Sequence, residues 1–264
     1  MGGKTQMGEL SGRYSGAFYG RQAPGSLRTA RRVAPLLYEL LAPDSVIDIG
    51  CGVGPWLAAF RELGVDDIRG IDGPHVDRDR LLVPPAAFTV QDLREPLSLG
   101  RTFDLAISLE VAEHLPPATA ADFVRTLTGL SAAVLFSAAV PFQGGEGHVN
   151  EQWQDYWARL FATEGYEPVD CVRPAIWTDA TVEWWYAQNT ILYVDRTVLG
   201  QRPGLSPVTA GSLAALRVVH PDLYLTCATR VPTLGTTVRR LVPALLESMA
   251  HRARTLRRAG RAHP

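Results

Sequence analysis

Short apolar runs alternate with helix-like repeats over most of the 264-residue chain, which is typical of an α/β protein. The first apolar run, 46–49, is rich in β-branched residues and is interrupted only by Asp48. Six further strands are predicted at 68–72, 88–93, 103–109, 132–140, 169–177 and 182–194. Helices are predicted at 26–41, 55–63, 117–130 and 151–165. This alternation predicts a doubly wound, mostly parallel seven-stranded sheet whose last two strands form an antiparallel hairpin at one edge.

The predicted domain spans residues 26–194, and its first helix would be capped by Ser26. Residues 1–25 are rich in glycine and contain three aromatic side chains, Tyr14, Phe18 and Tyr19. We expect a helical lid or arm there that closes over a ligand, with a disordered leader as the alternative.

Residues 195–264 predict a C-terminal helical extension of the same domain, with a short helix at 211–219 and a long helix at 235–259. From Thr226 onward the chain holds eight arginines against one glutamate, although its overall formal charge is only −1. A basic helix of this kind suits an anionic membrane surface, a charged carrier or a neighbouring subunit, and a homodimer is left open. A solvated helix end is the plainer alternative.

A hydrophobic content of 46% is sufficient for a sizeable core. The three cysteines, Cys51, Cys171 and Cys227, have no paired or metal-binding spacing, which favours a reducing, cytoplasmic compartment. No apolar run is long enough to predict a transmembrane segment.

A glycine turn follows the first strand directly, with Gly50, Gly52 and Gly54 before a helix that starts at Pro55. A strand-to-helix turn at the carboxyl edge of a parallel sheet is the usual ligand position in α/β folds. The spacing differs from the dinucleotide fingerprint Gly-x-Gly-x-x-Gly, because Pro55 stands where the third glycine is expected. We therefore expect a ligand without a pyrophosphate at this turn.

Four short motifs follow one another along the first half of the chain: Asp48-Ile-Gly-Cys-Gly52, Gly70-Ile-Asp72, Gln91-Asp92-Leu93 and the segment from Ser108 to Leu115. In this order and at these intervals they resemble the motifs of class I S-adenosylmethionine-dependent methyltransferases. The resemblance covers residues 26–194 and implies a Rossmann-like methyltransferase fold with S-adenosyl-L-methionine as cofactor.

The resemblance also implies a role for each motif. Gly50 and Gly52 would approach the methionine part of the cofactor, Asp48 would orient its ammonium group, and Asp72 would hold the ribose. The full set of predicted cofactor contacts is Tyr19, Arg28, Asp48, Gly50, Gly52, Asp72, Gln91, Asp92, Leu109 and Glu110.

Two later segments, 141–153 and 182–189, resemble a narrower group of bacterial sugar O-methyltransferases, including enzymes of mycobacterial methylmannose polysaccharide synthesis. This resemblance implies that the acceptor is a hydroxyl of a sugar, an oligosaccharide or a glycosylated metabolite. The predicted acceptor contacts are Asn150, Glu151, Trp153 and Trp185. Of the adjacent Trp184 and Trp185, only one could face a pocket if both lay on a strand.

Methylation of an alcohol requires a proton acceptor, and a histidine serves this purpose near neutral pH. His148 is the first candidate because it follows a glycine-rich loop at the predicted cofactor edge, and His114 is the second. The alternatives are a loop role for His148, an N-cap role for Asn150 and a packing role for His114. Mg²⁺ could also acidify the hydroxyl, but no metal-ligand spacing is recognisable and no metal residues are predicted.

Two other functions share part of this pattern. A nicotinamide-dependent oxidoreductase would use the strand, the glycine turn and Asp72, but the third fingerprint glycine and a tyrosine-lysine pair are missing. A non-catalytic binding protein on the same fold would not need His148. Nucleic-acid binding is not expected, because the basic residues concentrate in the tail.

Overall fold

The computed structural model describes residues 16–95, 97 and 99–229. The strands are β1 Ser45–Ile49, β2 Asp67–Asp72, β3 Phe88–Val90, β4 Leu105–Leu109, β5 Ala133–Ser137, β6 Tyr166–Val169 and β7 Ile191–Asp195. The helices are α1 Gly16–Leu41, α2 Pro55–Glu62, α3 Ala120–Leu130, α4 Gln154–Thr163, α5 Arg173–Ile176, α6 Trp184–Asn189, α7 Arg196–Leu199 and α8 Pro221–Thr229. Short 3₁₀ turns occur at Arg78–Arg80, Pro85–Ala87, Ala112–His114, Pro117–Thr119 and Ala210–Leu216.

All seven strands form one sheet in the order β3-β2-β1-β4-β5-β7-β6. The pairs from β3 to β5 are parallel, and β7 runs antiparallel to both of its neighbours. The core lies on both faces, since Val46 packs into one apolar cluster and Ile47 into the other. These observations confirm the predicted doubly wound, mostly parallel sheet with its antiparallel edge.

The chain divides into a first unit that ends at Tyr224 and a second that begins at Leu225. Of the second unit the structure describes only 225–229, the end of α8. The predicted basic helix at 235–259 and Tyr14 in the predicted lid therefore lie outside the described residues, as do the side chains of Phe18 and Tyr19. Among the residues described, none of the helices combines the length and the apolar character needed to cross a bilayer.

The first helix was predicted too short, because α1 extends back to Gly16 and Ser26 lies inside it and not at its cap. Pro24 and Gly25 resemble a helix break, but tertiary packing overrides this signal. A Cβ on Gly25 would lie only 2.3 Å from a carboxylate oxygen of Glu183. The absence of a side chain thus lets α1 approach the segment before α6 closely.

The prediction of strands at 169–177 and 182–194 was wrong over most of both ranges. Only the ends are extended, as β6 and β7, and the chain between them forms α5, a turn and α6. Short apolar runs do not distinguish a strand from a buried helix, and here the turn at Asp179 separates two helices. Trp184 and Trp185 consequently lie on a helix, and both can face the same cavity.

The ends of several strands and the start of α4 also differ from the prediction. The third, fourth and fifth strands are shorter than predicted, and α4 begins at Gln154 with Trp153 at the N-cap position. Asn150 therefore does not cap that helix. The additional chain after β5, residues 138–153, forms a loop over the carboxyl edge of the sheet, where it lines part of a cavity that is described below.

Candidate functional site

A cavity of about 1010 Å³ opens at the carboxyl edge of β1, β2 and β4. Its walls come from the turns after these strands, from the loop after β5, and from α1 and α6. The volume is at the upper end of the range for small-molecule sites, so it can hold a cofactor together with an acceptor. We call the part formed by Asp48, Gly50, Gly52 and Asp72 the glycine-turn end, and the part formed by Glu110, Glu113, His114 and His148 the histidine end.

The glycine-turn end is built mainly from main chain. Gly50 has φ +84°, and a Cβ there would lie 2.3 Å from Cγ2 of Val111, so no other residue fits without strain. The Asp72 carboxylate accepts the amide protons of Gly52 and Gly73, each at 2.6 Å. This carboxylate therefore fixes the turn and still faces the cavity.

Two buried acids lie side by side at this end. Burial, followed by the charge of Asp72, raises the pKa of Asp48 well above its usual range. Burial also raises the pKa of Asp72, although the charge of His75 and the two amides oppose the rise. Buried carboxylates so close to each other favour a cationic group in the cavity, since its charge would stabilise both.

Gln91 and Asp92 line the cavity after β3. Asp92 forms a bidentate ion pair with Arg94, with a shortest distance of 2.5 Å, and this hydrogen bonding lowers the pKa of the Asp92 carboxyl. The side chain of Asp92 is 39% exposed, so it remains accessible to a ligand in the cavity.

Glu110 follows Leu109 at the end of β4 and is held by polar neighbours. Its carboxylate accepts hydrogen bonds from Oγ of Ser137 at 2.8 Å, Nε2 of Gln143 at 3.0 Å and Nδ2 of Asn189 at 3.1 Å. Burial raises the pKa of Glu110, while these three donors lower it. The three donors were not predicted from the sequence, although the polar pair Gln188-Asn189 after an aromatic run was a usable signal.

The 3₁₀ turn Ala112–His114 places an acid and an imidazole beside this network. The carbonyl oxygen of Glu113 accepts the amide protons of Val149 and Asn150 at 2.8 and 3.0 Å. These bonds tie the loop after β5 to the turn, so the rings of His114 and His148 meet edge to face at 4.8 Å between centroids. Glu113, His114 and His148 each present a ligand-capable atom, and these atoms lie within 4.8 Å of one another.

The loop that carries His148 is organised by Glu151. Its carboxylate accepts the amide protons of Phe142 and Gly144 at 2.8 and 2.7 Å and lies 3.0 Å from Nδ1 of His148. A carboxylate only accepts hydrogen bonds, so Nδ1 carries a proton, and Nε2 is the nitrogen with the lone pair in the corresponding neutral tautomer. Nε2 lies so close to Gly145 that a Cβ atom on that residue would be only 2.1 Å from this nitrogen.

The pKa values of two groups at the histidine end, His114 and Glu113, are strongly perturbed. Burial, followed by the charge of His148, lowers the pKa of His114 to about 4, so this ring is neutral at physiological pH. Burial, followed by the charge of Glu110, raises the pKa of Glu113 well above its usual range. Groups perturbed in this way inside a cavity are typical of functional sites.

The structure brings most of the predicted residues together and separates several others. Arg28 does not line the cavity, because it bonds Glu183 at 2.7 Å and the carbonyl of Thr181 at 2.9 Å. Asn150 is buried behind the wall, with Nδ2 at 3.5 Å from the carbonyl of Ala112. Trp153 also lies outside the lining residues, whereas Trp185 is among them. Glu151 does not line the cavity, and its contact with the site is the interaction of its carboxylate with Nδ1 of His148.

The seven-stranded sheet and the ligand cavity at its carboxyl edge define the Rossmann-like methyltransferase fold. Residues 19–189 match the methyltransferase domain family, so the chain belongs to this family. No curated protein matches the sequence.

Solved structures similar to the chain include a proposed O-methyltransferase from Nostoc punctiforme, with a TM-score of 0.50 and 16% identity over 67% of this chain and 59% of that chain. The chain thus spans less than two thirds of the length of that protein. An amino pentose methyltransferase from Micromonospora echinaspora, solved with S-adenosylmethionine, has a TM-score of 0.49 and 16% identity over 67% and 94% of the two chains. Magnesium protoporphyrin IX methyltransferase from Synechocystis, solved with S-adenosylhomocysteine, has a TM-score of 0.47 and 19% identity over 65% and 84%.

Proposed function

We propose that this protein transfers a methyl group from S-adenosylmethionine to a hydroxyl of a sugar or of a glycosylated small molecule. The observation that supports this proposal best is that one cavity contains both the glycine-turn end and the histidine end. The first end offers a site for a cationic amino-acid cofactor, and the second offers groups that can control a hydroxyl proton.

The cofactor fits the charges of the glycine-turn end. The buried Asp48 would pair with the ammonium group of the methionine part, and Asp72 would accept hydrogen bonds from the ribose hydroxyls. Gly50 and Gly52 leave the main chain open to close approach. Gln91 and Asp92 lie after β3, where they would meet the adenine.

The reaction requires an acceptor oxygen in line with the methyl carbon and the sulfur. The oxygen forms a bond to the methyl carbon, while the carbon–sulfur bond breaks and its electron pair remains on the sulfur. The simplest route for the hydroxyl proton leads to Nε2 of His148, which is the accepting nitrogen of the tautomer whose Nδ1–H is donated to Glu151. Leu109 and Glu110, at the end of β4, would lie beside the sulfonium.

The proposed acceptor class is supported by the aromatic part of the wall. Trp184, Trp185 and Tyr186 all line the cavity, and the Tyr186 hydroxyl is bonded to Oγ of Ser26 at 3.0 Å. Flat aromatic faces provide contact area for the apolar side of a sugar ring. Glu110 and Gln143 also line the cavity and are joined by a hydrogen bond, so this part of the wall is polar.

A screen of glycosides and glycosylated metabolites with methyl-labelled cofactor tests the proposal. We expect label in an acid-stable ether of at least one compound, and calorimetric binding of S-adenosylhomocysteine without binding of nicotinamide dinucleotides. Binding of a dinucleotide and not of S-adenosylhomocysteine would favour the oxidoreductase instead. Binding of S-adenosylhomocysteine with label only on amines or carbon atoms would retain the methyltransferase and overturn the hydroxyl acceptor.

A further inference from the structure

Two side chains at the histidine end, Glu113 and His114, have no part in the methyl-transfer chemistry described above, and they lie beside His148. One carboxylate and two imidazoles offer ligand atoms within 4.8 Å of one another, in the wall of a cavity large enough for a substrate. We propose that Glu113, His114 and His148 bind a divalent first-row transition cation such as Mn²⁺ or Zn²⁺. No metal residues were predicted from the sequence, so the three ligands are brought together only by the fold.

The strongest support for the proposed metal site comes from the environment of Glu113. Its side chain is fully buried, and neither carboxylate oxygen has a hydrogen-bond partner among the described residues. Glu110, only three positions earlier, is bonded by three donors. A buried carboxylate without partners is strongly unfavourable, and a cation is the partner that would satisfy both oxygens.

A protonated Glu113 does not remove this difficulty. A neutral carboxylic acid would still bury one carbonyl oxygen and one hydroxyl donor, and both need partners. Glu110 could accept the hydroxyl proton of Glu113, but the carbonyl oxygen of Glu113 would still have no hydrogen-bond partner among the described residues. A cation between Glu113 and the two imidazoles would satisfy both oxygens of the carboxylate.

The surroundings of His148 have the form that metal-bound histidines commonly show. Glu151 lies 3.0 Å from Nδ1, so Nε2 is the nitrogen with a lone pair. Metal-ligating histidines usually donate their other N–H to a carboxylate or a carbonyl in this way. Glu151 is itself fixed by the amides of Phe142 and Gly144, so the ring orientation is set before a ligand arrives.

The donor types indicate the class of cation. Imidazole nitrogens suit zinc, iron, copper, nickel and, with carboxylates, manganese, whereas Mg²⁺ and Ca²⁺ prefer oxygen ligands. Three protein ligands leave coordination positions open toward the cavity, as in catalytic metal sites. We therefore expect Mg²⁺ to be a poor substitute at this site.

The role of the cation in the reaction rests on the proposed function, whereas its binding does not. A coordinated acceptor hydroxyl loses its proton to water more easily, because the cation stabilises the resulting alkoxide. The alkoxide oxygen then forms the bond to the methyl carbon, and the carbon–sulfur bond breaks with its electron pair on sulfur. In this form of the reaction Nε2 of His148 holds the cation and does not take up the proton.

The test is a calorimetric titration of the chelator-treated full chain with MnCl₂, without cofactor or acceptor, supported by the loss of the free Mn²⁺ signal in electron paramagnetic resonance. We expect one site per chain, with binding weakened at least 100-fold in Glu113→Gln and in His114→Ala. Glu146→Gln is the matched control, because Glu146 is an exposed acid on the same cavity and lies outside the three-residue cluster. We expect its Mn²⁺ affinity to equal that of the wild type.

Binding of S-adenosylhomocysteine in the same samples separates this inference from the proposed function and reports whether each variant is folded. A wild-type chain that binds S-adenosylhomocysteine but neither Mn²⁺ nor Zn²⁺ would overturn the metal site and leave the methyltransferase intact. Equal Mn²⁺ affinity in wild type and Glu113→Gln would overturn it as well. If Glu113→Gln does not fold, the same comparison is decided by His114→Ala, whose ring is only partly buried.

Discussion

The two ends of the cavity achieve a polar, buried surface in different ways. At the glycine-turn end, the Asp72 carboxylate accepts hydrogen bonds from two main-chain amides. One belongs to the next residue, Gly73, and the other to Gly52, in the turn after the neighbouring strand β1. At the histidine end, Glu110 depends on side chains from β5, the loop after it and α6, whereas the carboxylate of Glu113 obtains no hydrogen bond from the described residues. One end is therefore a local main-chain motif, and the other is an assembly of distant side chains.

This difference suits the two ends to different tasks, the binding of the cofactor at one and the chemistry of the reaction at the other. A site built from main chain around fixed carboxylates is suited to holding one cofactor in a constant position. A site assembled from perturbed side chains is suited to a change of protonation or to metal binding. Variants at the glycine-turn end should therefore change cofactor affinity, whereas variants at the histidine end should change turnover.

The largest expected effect is that of His148→Ala. Removal of this imidazole eliminates Nε2, whether it accepts the hydroxyl proton or holds a cation, and we expect turnover to fall by about 10²- to 10⁴-fold. Methyl transfer from labelled cofactor measures the rate, and calorimetry with S-adenosylhomocysteine should show nearly unchanged affinity. Turnover at the wild-type rate would remove His148 from the mechanism.

Asp72→Ala should have the next largest effect, and this effect should be on cofactor affinity and not on turnover. The substitution removes the acceptor for the ribose hydroxyls and releases the amides of Gly52 and Gly73, so we expect S-adenosylhomocysteine to bind more weakly by about 1–3 kcal/mol. Calorimetry measures the change directly. Unchanged affinity with a large loss of turnover at saturating cofactor would reverse the proposed division between the two ends.

Gly50→Ala tests the contact between the two ends. A Cβ at this position would meet Val111, which follows Glu110 directly, and the backbone has φ +84°. We expect a loss of about 1–3 kcal/mol in the free energy of unfolding, measured with denaturant, because the strain has no simple relief. The control is Gly64→Ala, whose φ of +95° is similarly unfavourable but whose Cβ would meet nothing within 4 Å. Equal losses in the two variants would mean that the Val111 contact contributes nothing.

The contrast between a local main-chain motif at one end and distant side chains at the other explains how much of the site could be predicted from the sequence. The strand, the glycine turn and Asp72 are close in sequence or at a fixed interval, so the pattern of residues alone is enough to identify them. Glu113 was not predicted as a site residue, because its importance depends on a loop that begins after β5 and on the absence of local partners among the described residues. No spacing rule could reveal this.

The segment at 169–194 was incorrectly predicted for a related reason. Its aromatic residues suggest strands by propensity, but tertiary contacts decide the outcome. Tyr186 packs edge to face on Trp56 at 5.4 Å, and Gln188 and Asn189 turn inward to the network around Glu110 and Gln143. A helix satisfies all of these contacts in six residues, whereas a strand would direct alternate side chains away from them.

The smallest expected effect is that of Arg28→Ala, which sharpens the comparison because the sequence analysis placed this residue at the cofactor. In the structure its guanidinium binds Glu183 and the carbonyl of Thr181, and the side chain is 51% exposed. An exposed ion pair contributes only about 0.2–1 kcal/mol, so we expect a change of that size in the free energy of unfolding. Affinity for S-adenosylhomocysteine should stay the same within calorimetric error. A loss of affinity comparable to that of Asp72→Ala would mean that Arg28 leaves Glu183 when the cofactor binds, and that α1 belongs to the cofactor site.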